Sequence, residues 1–318
     1  MTEKKKVLVC GATGFIGRNI AEALLSRADV ELYGTYFKSE PWRDERITLT
    51  RADLTNKDDV EHVVQGMDVI IQAAATTSGA KDIVTQPYLH VTNNAVMNSL
   101  IFRAAHDCNV AHVIFFSCSV MYQPSDTPVK ESDFDASKEM VRSYFGVGWT
   151  KVYIEKVCEF YARLGRTKYT VLRHSNIYGP HDKFDLERSH VFGATMTKVL
   201  NAPEKVVVWG TGEEERDLLY IDDIVHAVLL SMEKQTTPLE LMNIGTGSSI
   251  SVRELVQKII TCSGKDLAIE YDTSKPTIKT RLALDCSKAY TILGWKPEVP
   301  LDEGIKKTMA WYRGLRSL

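Results

Sequence analysis

Short apolar runs alternate with amphipathic stretches through the first 125 residues. VLVC at 7–10 runs into a glycine, and VELYGTYF at 30–37, DVIIQAA at 68–74 and HVIFFS at 112–117 repeat the theme. These runs show little inward/outward alternation, which predicts strands buried on both faces. Residues 19–25, 60–64 and 95–105 carry helical spacing between them. Apolar strands separated by helices predict an α/β fold, a doubly wound parallel sheet of the Rossmann type.

The pattern changes near residue 124. Residues 124–135 are polar and turn-rich, a long helix is predicted over 147–164, and YTVLRH at 169–174 reads as a strand. After Pro180 the alternation breaks up. The expected division is a first lobe over 1–174 and a smaller mixed α/β substrate lobe over 175–215 and 243–318. Residues 216–242, with a helical stretch at 222–232, are expected to return to the first lobe. A length of 318 residues agrees with roughly two lobes. The sequence has no repeat, low-complexity tract or flexible linker, so the lobes should pack as one unit.

Composition narrows the function classes. The chain has 39 Lys plus Arg against 41 Asp plus Glu, a net charge of −2. That balance lacks the basic stripe of a nucleic-acid binder. The hydrophobic share of 44% and charged share of 25% are those of a globular protein with a full core. Six cysteines (Cys10, Cys108, Cys118, Cys158, Cys262 and Cys286) form no CxxC pair, and reduced thiols in a cytoplasmic protein are expected. The MTEKKK start lacks the marks of a signal peptide, and no membrane span is expected. No His/Cys/carboxylate cluster has metal-ligand spacing, so no metal is expected.

Gly11-Ala12-Thr13-Gly14-Phe15-Ile16-Gly17 follows the first strand and opens a helix. Glycines let the backbone turn tightly beside a pyrophosphate, and the helix N-terminus offers unpaired N–H groups. Strand before and helix after make this a dinucleotide cradle. Such folds usually place an acid at the end of the second strand to hold the ribose 2′-hydroxyl. Here residues 34–39 read GTYFKS, with no acid before Glu40. Lys38 suits a 2′-phosphate, which leans the expectation from NAD slightly toward NADP; Lys38 also reads as a solvated loop lysine.

At this point the chain resembles the extended short-chain dehydrogenase/reductases, the NAD(P)-dependent nucleotide-sugar epimerases and dehydratases. The matching marks are GATGFIG (11–17), Asp53-Leu54, AAATTSG (73–79), Asn94, FFSCSVMY (115–122), Lys151 with Glu155 and LRHSNIYGP (172–180). GTGEEERDLLYIDD (210–223), MNIGTG (242–247) and LGWKP (293–297) follow in order, so the resemblance covers nearly the whole chain. YGPHDKF (178–184) with SHVFGATMTKV (189–199) most resembles the GDP-fucose synthase type. The resemblance implies a nucleotide-diphospho-sugar substrate, a GDP-sugar favoured, bound between the lobes. It implies that Asp53, beside Leu54, meets the adenine and that Ala73, Ala74 and Ala75 line the cofactor path. Asn176, His190, Val191, Lys198 and Arg216 are implied on the substrate side. Arg216 suits a diphosphate because its planar fork pairs two oxygens, although Glu215 and Asp217 are neighbouring ion-pair partners. A homodimer is implied, with helices near 95–105 and 147–164 forming a four-helix interface.

Hydride transfer at a sugar carbon needs proton transfer at its oxygen. The family usually supplies a tyrosine four residues before a lysine, plus a Ser or Thr hydroxyl. Lys151 fits the lysine position, but the tyrosine position holds Val147, which exchanges no proton. Tyr271-xxx-Lys275 lies in the wrong context. The hydroxyl position, four before Tyr122, is Cys118, flanked by Ser117 and Ser119. Lys151, Cys118, Ser119, His181, Tyr144 and Tyr178 are the candidate replacements. His181 is favoured because the resemblance places there a histidine that protonates a carbon beside the ketone; it also reads as a turn histidine after Gly179-Pro180. The cysteine partner for epimerisation falls on Val120, so simple oxidation or reduction, carbon 4 favoured, is expected over double epimerisation. His174 reads as a packed strand-end residue, and Trp209 and Trp295 as core or lobe-contact aromatics. Three outcomes stay open: another group moves the proton, residue 147 carries an engineered change, or the protein binds cofactor and sugar without turnover, as a sensor or regulator would.

Overall fold

The structure, a computed structural model, describes residues 3–77, 85–186, 189–275, 277 and 280–315. The chain begins β1 (Lys5–Cys10), α1 (Phe15–Leu24), β2 (Val30–Tyr36), β3 (Ile47–Arg51), α2 (Lys57–Val64), β4 (Val69–Gln72), α3 (Thr92–Asp107), β5 (His112–Cys118), α4 (Phe145–Arg163) and β6 (Lys168–His174). It continues β7 (Asn176–Tyr178), α5 (Val191–Asn201), β8 (Lys205–Trp209), β9 (Glu215–Arg216), β10 (Leu218–Tyr220), α6 (Ile221–Lys234) and β11 (Leu239–Ile244). It ends with β12 (Ile250–Ser251), α7 (Val252–Ser263), β13 (Ala268–Asp272), α8 (Ser287–Leu293) and α9 (Leu301–Leu315).

Seven parallel strands form one sheet in the order β11-β6-β5-β4-β1-β2-β3. Alternate side chains of each strand point to opposite faces. Val7 and Val9 therefore enter one apolar cluster with Ile71, Ile114 and α6, while Leu8 and Cys10 enter another with Ile70, Val113, α3 and α4. Both clusters are covered by helices, which explains the continuous apolar runs. Helix α6 packs against α1, and β11 adds the edge strand beside β6.

The remaining strands pair off as β7 with β10, β9 with β12 and β8 with β13. Trp295 is fully buried and donates its indole N–H to Asp223 O, as a core aromatic should. Trp209 instead keeps 37% exposure on β8. In an open α/β sheet ligands settle beyond the carboxyl ends of the strands, where the order reverses. Here β1, between β2 and β4, is that point.

Candidate active site

The glycine turn is built for close backbone approach. Gly11 takes φ +74°, and a Cβ there would lie 2.8 Å from Ala74 Cα. A Cβ on Gly17 would lie 2.2 Å from Gly11 O. Gly14 caps α1 without any side-chain hydrogen bond, so the first N–H groups of that helix are left to a ligand. Thr13 sits half-buried in the turn, and Phe15 and Ile16 pack on the core behind it. Thr35 fixes the turn from β2, its hydroxyl accepting from Gly11 N at 3.0 Å. Trp42, which the sequence did not single out, donates to Ala12 O at 3.2 Å, with the Arg18 guanidinium 3.7 Å over its ring.

Beside the turn, Asp53 accepts from the Thr55 backbone N–H and hydroxyl, which hold its carboxyl below the usual range, with a smaller contribution from Lys38. Leu54 is buried in the second core cluster. Ala73 is half-buried, Ala74 abuts Gly11 and Ala75 is exposed. Asn94 on α3 fixes this segment, donating to Thr76 O and accepting from Thr76 N at 2.9 Å. Part of AAATTSG, residues 78 and 79, lies outside the described residues. The cradle, acid and alanine path fit a dinucleotide.

Lys151 projects from α4 toward the end of β5. Its ammonium donates to Phe116 O at 2.6 Å and lies 4.8 Å from the Phe115 ring centroid. Burial pushes its pKa down, with Cys118 and Glu155 opposing. Helix α4 is held by a buried polar network. Glu155 pairs with Arg173 at 2.6 Å and accepts the Ser117 hydroxyl at 2.5 Å. Arg173 also donates to Tyr122 Oη at 2.8 Å, which donates to Asn243 Oδ1 at 2.8 Å. Ser117 and Tyr122 are thus committed to the scaffold. Gly148 lies inside α4, where glycine costs about 1 kcal/mol against alanine; a Cβ there would come 2.6 Å from Met140 S.

Past the end of β5 a narrow pocket is lined by Ser119, Val120, Tyr144, Ser175, Asn176, Arg216, Asp217 and Thr280, among others. Arg216 donates to Thr280 Oγ1 at 2.7 Å. Asp217, not foreseen as a site residue, accepts from Thr246 N and Leu284 N and ties two loops to the floor. Its only sequence signal was an acid directly before the apolar run Leu218–Tyr220.

Most titratable groups around the pocket are held neutral. Burial raises the thiol of Cys118, although Lys151 opposes it, so Cys118 is a thiol and not a thiolate. Burial raises Tyr144, with Arg216 partly offsetting and Cys118 reinforcing. Burial lowers His174 to about 4, and burial lowers His190, with Lys183 and His90 adding to it. His190 precedes α5, and Val191 opens that helix half-buried on the core.

Two of the expected residues lie apart from the residues that line the pocket. His181 is not at the pocket. Its backbone takes φ +67°, which swings the ring toward α1, where Nε2 lies 3.3 Å from Glu22 Oε2 and the ring packs on Trp311. Lys198 also points elsewhere, donating to Val207 O at 2.9 Å over the Trp209 ring. Tyr178 is buried against Phe192 and Tyr220 and is no candidate either. Among the described residues no group of three or more His, Cys, Asp or Glu could hold a metal. No described helix is long and apolar enough to cross a membrane.

Known proteins extend this picture. The model of the NAD dependent epimerase/dehydratase family matches residues 7–245. GDP-L-fucose synthase of Escherichia coli (strain K12) is 30% identical, with 97% of each chain covered. dTDP-4-dehydro-6-deoxy-D-allose reductase from a Streptomyces species is 27% identical over 97% of this chain and 96% of its own. UDP-glucuronic acid 4-epimerase from Bacillus cereus, solved with UDP-glucuronic acid and NAD, superposes with a TM-score of 0.84 at 25% identity, covering 98% of this chain and 99% of that one. With its sheet order, glycine cradle and lysine in place, the chain belongs to the NAD-dependent epimerase/dehydratase family.

Proposed function

We propose that the protein is an NAD(P)-dependent oxidoreductase acting on a nucleotide-diphospho-sugar, a GDP-sugar favoured, at carbon 4. One observation carries this reading: Lys151 donates to Phe116 O near the carboxyl end of β5, and the residues that follow that strand, Ser119 and Val120, line a pocket with Asn176 and Arg216. The bound cofactor supplies hydride exchange at its nicotinamide. Gly11, Gly14 and Gly17 receive its pyrophosphate through backbone N–H groups. Lys151 holds the nicotinamide ribose, and Arg216 holds the substrate diphosphate. Val120 stands where a proton-moving cysteine would be needed, which favours one redox step over double epimerisation.

NADP is preferred in this reading. The end of β2 carries no acid, and Lys38 lies close enough to Asp53 to lower its pKa. A cytoplasmic homodimer pairing α3 and α4 is also part of it: Val96, Tyr153, Phe160 and Leu164 leave 39–56% of their surface exposed on these helices and their ends. A second reading, binding of cofactor and sugar without turnover, is favoured by Val147 alone. Stopped-flow absorbance of NADPH or NADH mixed with GDP-, dTDP- and UDP-ketosugars separates the two. Loss of the reduced-nicotinamide band with at least one is expected, and an unchanged band with all of them rejects the enzyme reading.

A further inference from the structure

We infer that Tyr144 is the group that gives the proton to the substrate carbonyl oxygen, replacing the tyrosine absent at Val147. The inference rests on the oxidoreductase reading above. Of the six residues the sequence offered, His181 contacts Glu22 and Trp311, Tyr178 packs on Phe192, and Cys118 is not among the residues that line the pocket. Lys151 is engaged by Phe116 O. Ser119 and Tyr144 remain, both lining the pocket with Asn176 and Arg216. A serine hydroxyl alone is a poor acid, so Ser119 serves as a hydrogen-bond donor beside the phenol.

Tyr144 lies seven residues before Lys151, at the start of α4. It caps that helix at the end of a short 3-10 turn, Arg142–Tyr144, and from there lines the pocket with Ser119. The position it replaces lies one turn nearer Lys151. Its hydroxyl has no hydrogen-bond partner among the described residues, in contrast to Tyr122, which is bonded on two sides. The greater distance from Lys151 has a chemical consequence. A tyrosine beside the lysine is poised to ionise and act as a base; Tyr144 is held by burial as the neutral phenol. A neutral phenol has a proton to give, as reduction of a ketone requires.

The step balances. Two electrons pass as hydride from reduced nicotinamide to the carbonyl carbon, and a proton passes from Tyr144 Oη to the carbonyl oxygen. The carbon–oxygen π bond breaks, C–H and O–H bonds form, and oxidised nicotinamide and an alcohol result. The positive charge of Arg216 favours the resulting phenolate, which regains its proton from solvent.

The test compares wild type with Tyr144→Phe, using 4-dehydro-6-deoxy sugars of GDP and dTDP as probes. Single-turnover oxidation of NADPH should slow by about 10²- to 10⁴-fold in Tyr144→Phe, with NADPH affinity unchanged. A second readout needs no turnover. In a complex of wild type, NADP and the 13C-labelled ketosugar, the infrared carbonyl stretch should shift to lower frequency than in water, and the shift should be lost in Tyr144→Phe. A Tyr144→Phe enzyme with the wild-type rate, or a carbonyl stretch insensitive to the substitution, overturns the assignment of Tyr144. Failure of wild type to oxidise NADPH with any ketosugar contradicts the functional reading itself.

Discussion

The two halves of the site are built differently. The cofactor half is made from backbone: a glycine turn whose geometry forbids side chains at Gly11 and Gly17, fixed by Thr35 and closed by Ala74. The proposed sugar-facing half is made from side chains, and Cys118, Val120 and Val147 stand there where the resemblance implies a hydroxyl, a cysteine and a tyrosine. Backbone geometry admits almost no substitution, whereas a proton donor can be moved along a helix face if the hydroxyl still reaches the reacting oxygen. On the proposed reading, binding a dinucleotide and moving a proton are separable demands on this fold.

Several substitutions break or sharpen that contrast. The largest effect is expected beneath both halves, where Glu155 and Arg173 form a buried pair holding α4. Arg173→Ala should cost about 3–5 kcal/mol because it strands a buried carboxylate, read by chemical denaturation. Gly17→Val should weaken the cofactor half alone. Its side chain must displace Gly11 O, an overpacking cost of about 1–3 kcal/mol that isothermal titration should report as a weaker NADPH affinity.

An effect of similar size is expected at Asp182, where burial pushes the carboxyl up to about 7. Its folded pKa lies above the unfolded value near 4. The unfolded chain therefore releases this proton first, and the contribution to stability is lost as pH rises from about 4 to 7. Asp182→Asn should raise the melting temperature at pH 8 and change it much less at pH 4. The smallest effect is expected from Lys38→Ala, which should cut the preference for NADPH over NADH by roughly tenfold, as one charge-assisted hydrogen bond would. An unchanged preference would remove Lys38 from the cofactor half.

Much of the scaffold was legible in the sequence because burial on both faces leaves an unbroken apolar signature. The runs at 7–10, 68–74 and 112–117 fall on β1, β4 and β5, and the long helix near 147–164 is α4. Strand β3 is less visible: ITLTR lies at the sheet edge, half-exposed, with alternating polarity. Strand β11 is hidden by its polar Glu240 and Asn243, buried through specific hydrogen bonds and an ion pair to Lys288. The glycine cradle was readable because it is local, and Arg216 and Asn176 do line the pocket. The contacts of His181 with Glu22 and Trp311 were not legible, because no residue pattern announces the positive φ it takes after Gly179-Pro180. Tyr144 was hard to rank because its worth depends on what the other five candidates touch.

The most direct measurement follows the transferred hydrogen. Reduced nicotinamide carrying deuterium at its transferable position is incubated with the protein and a GDP-4-dehydro-6-deoxy sugar, and the product is examined by NMR. The account predicts deuterium bonded to carbon 4 of the product sugar in stoichiometric amount. Quantitative retention of the label in the nicotinamide, with the cofactor bound and the sugar unchanged, would contradict it.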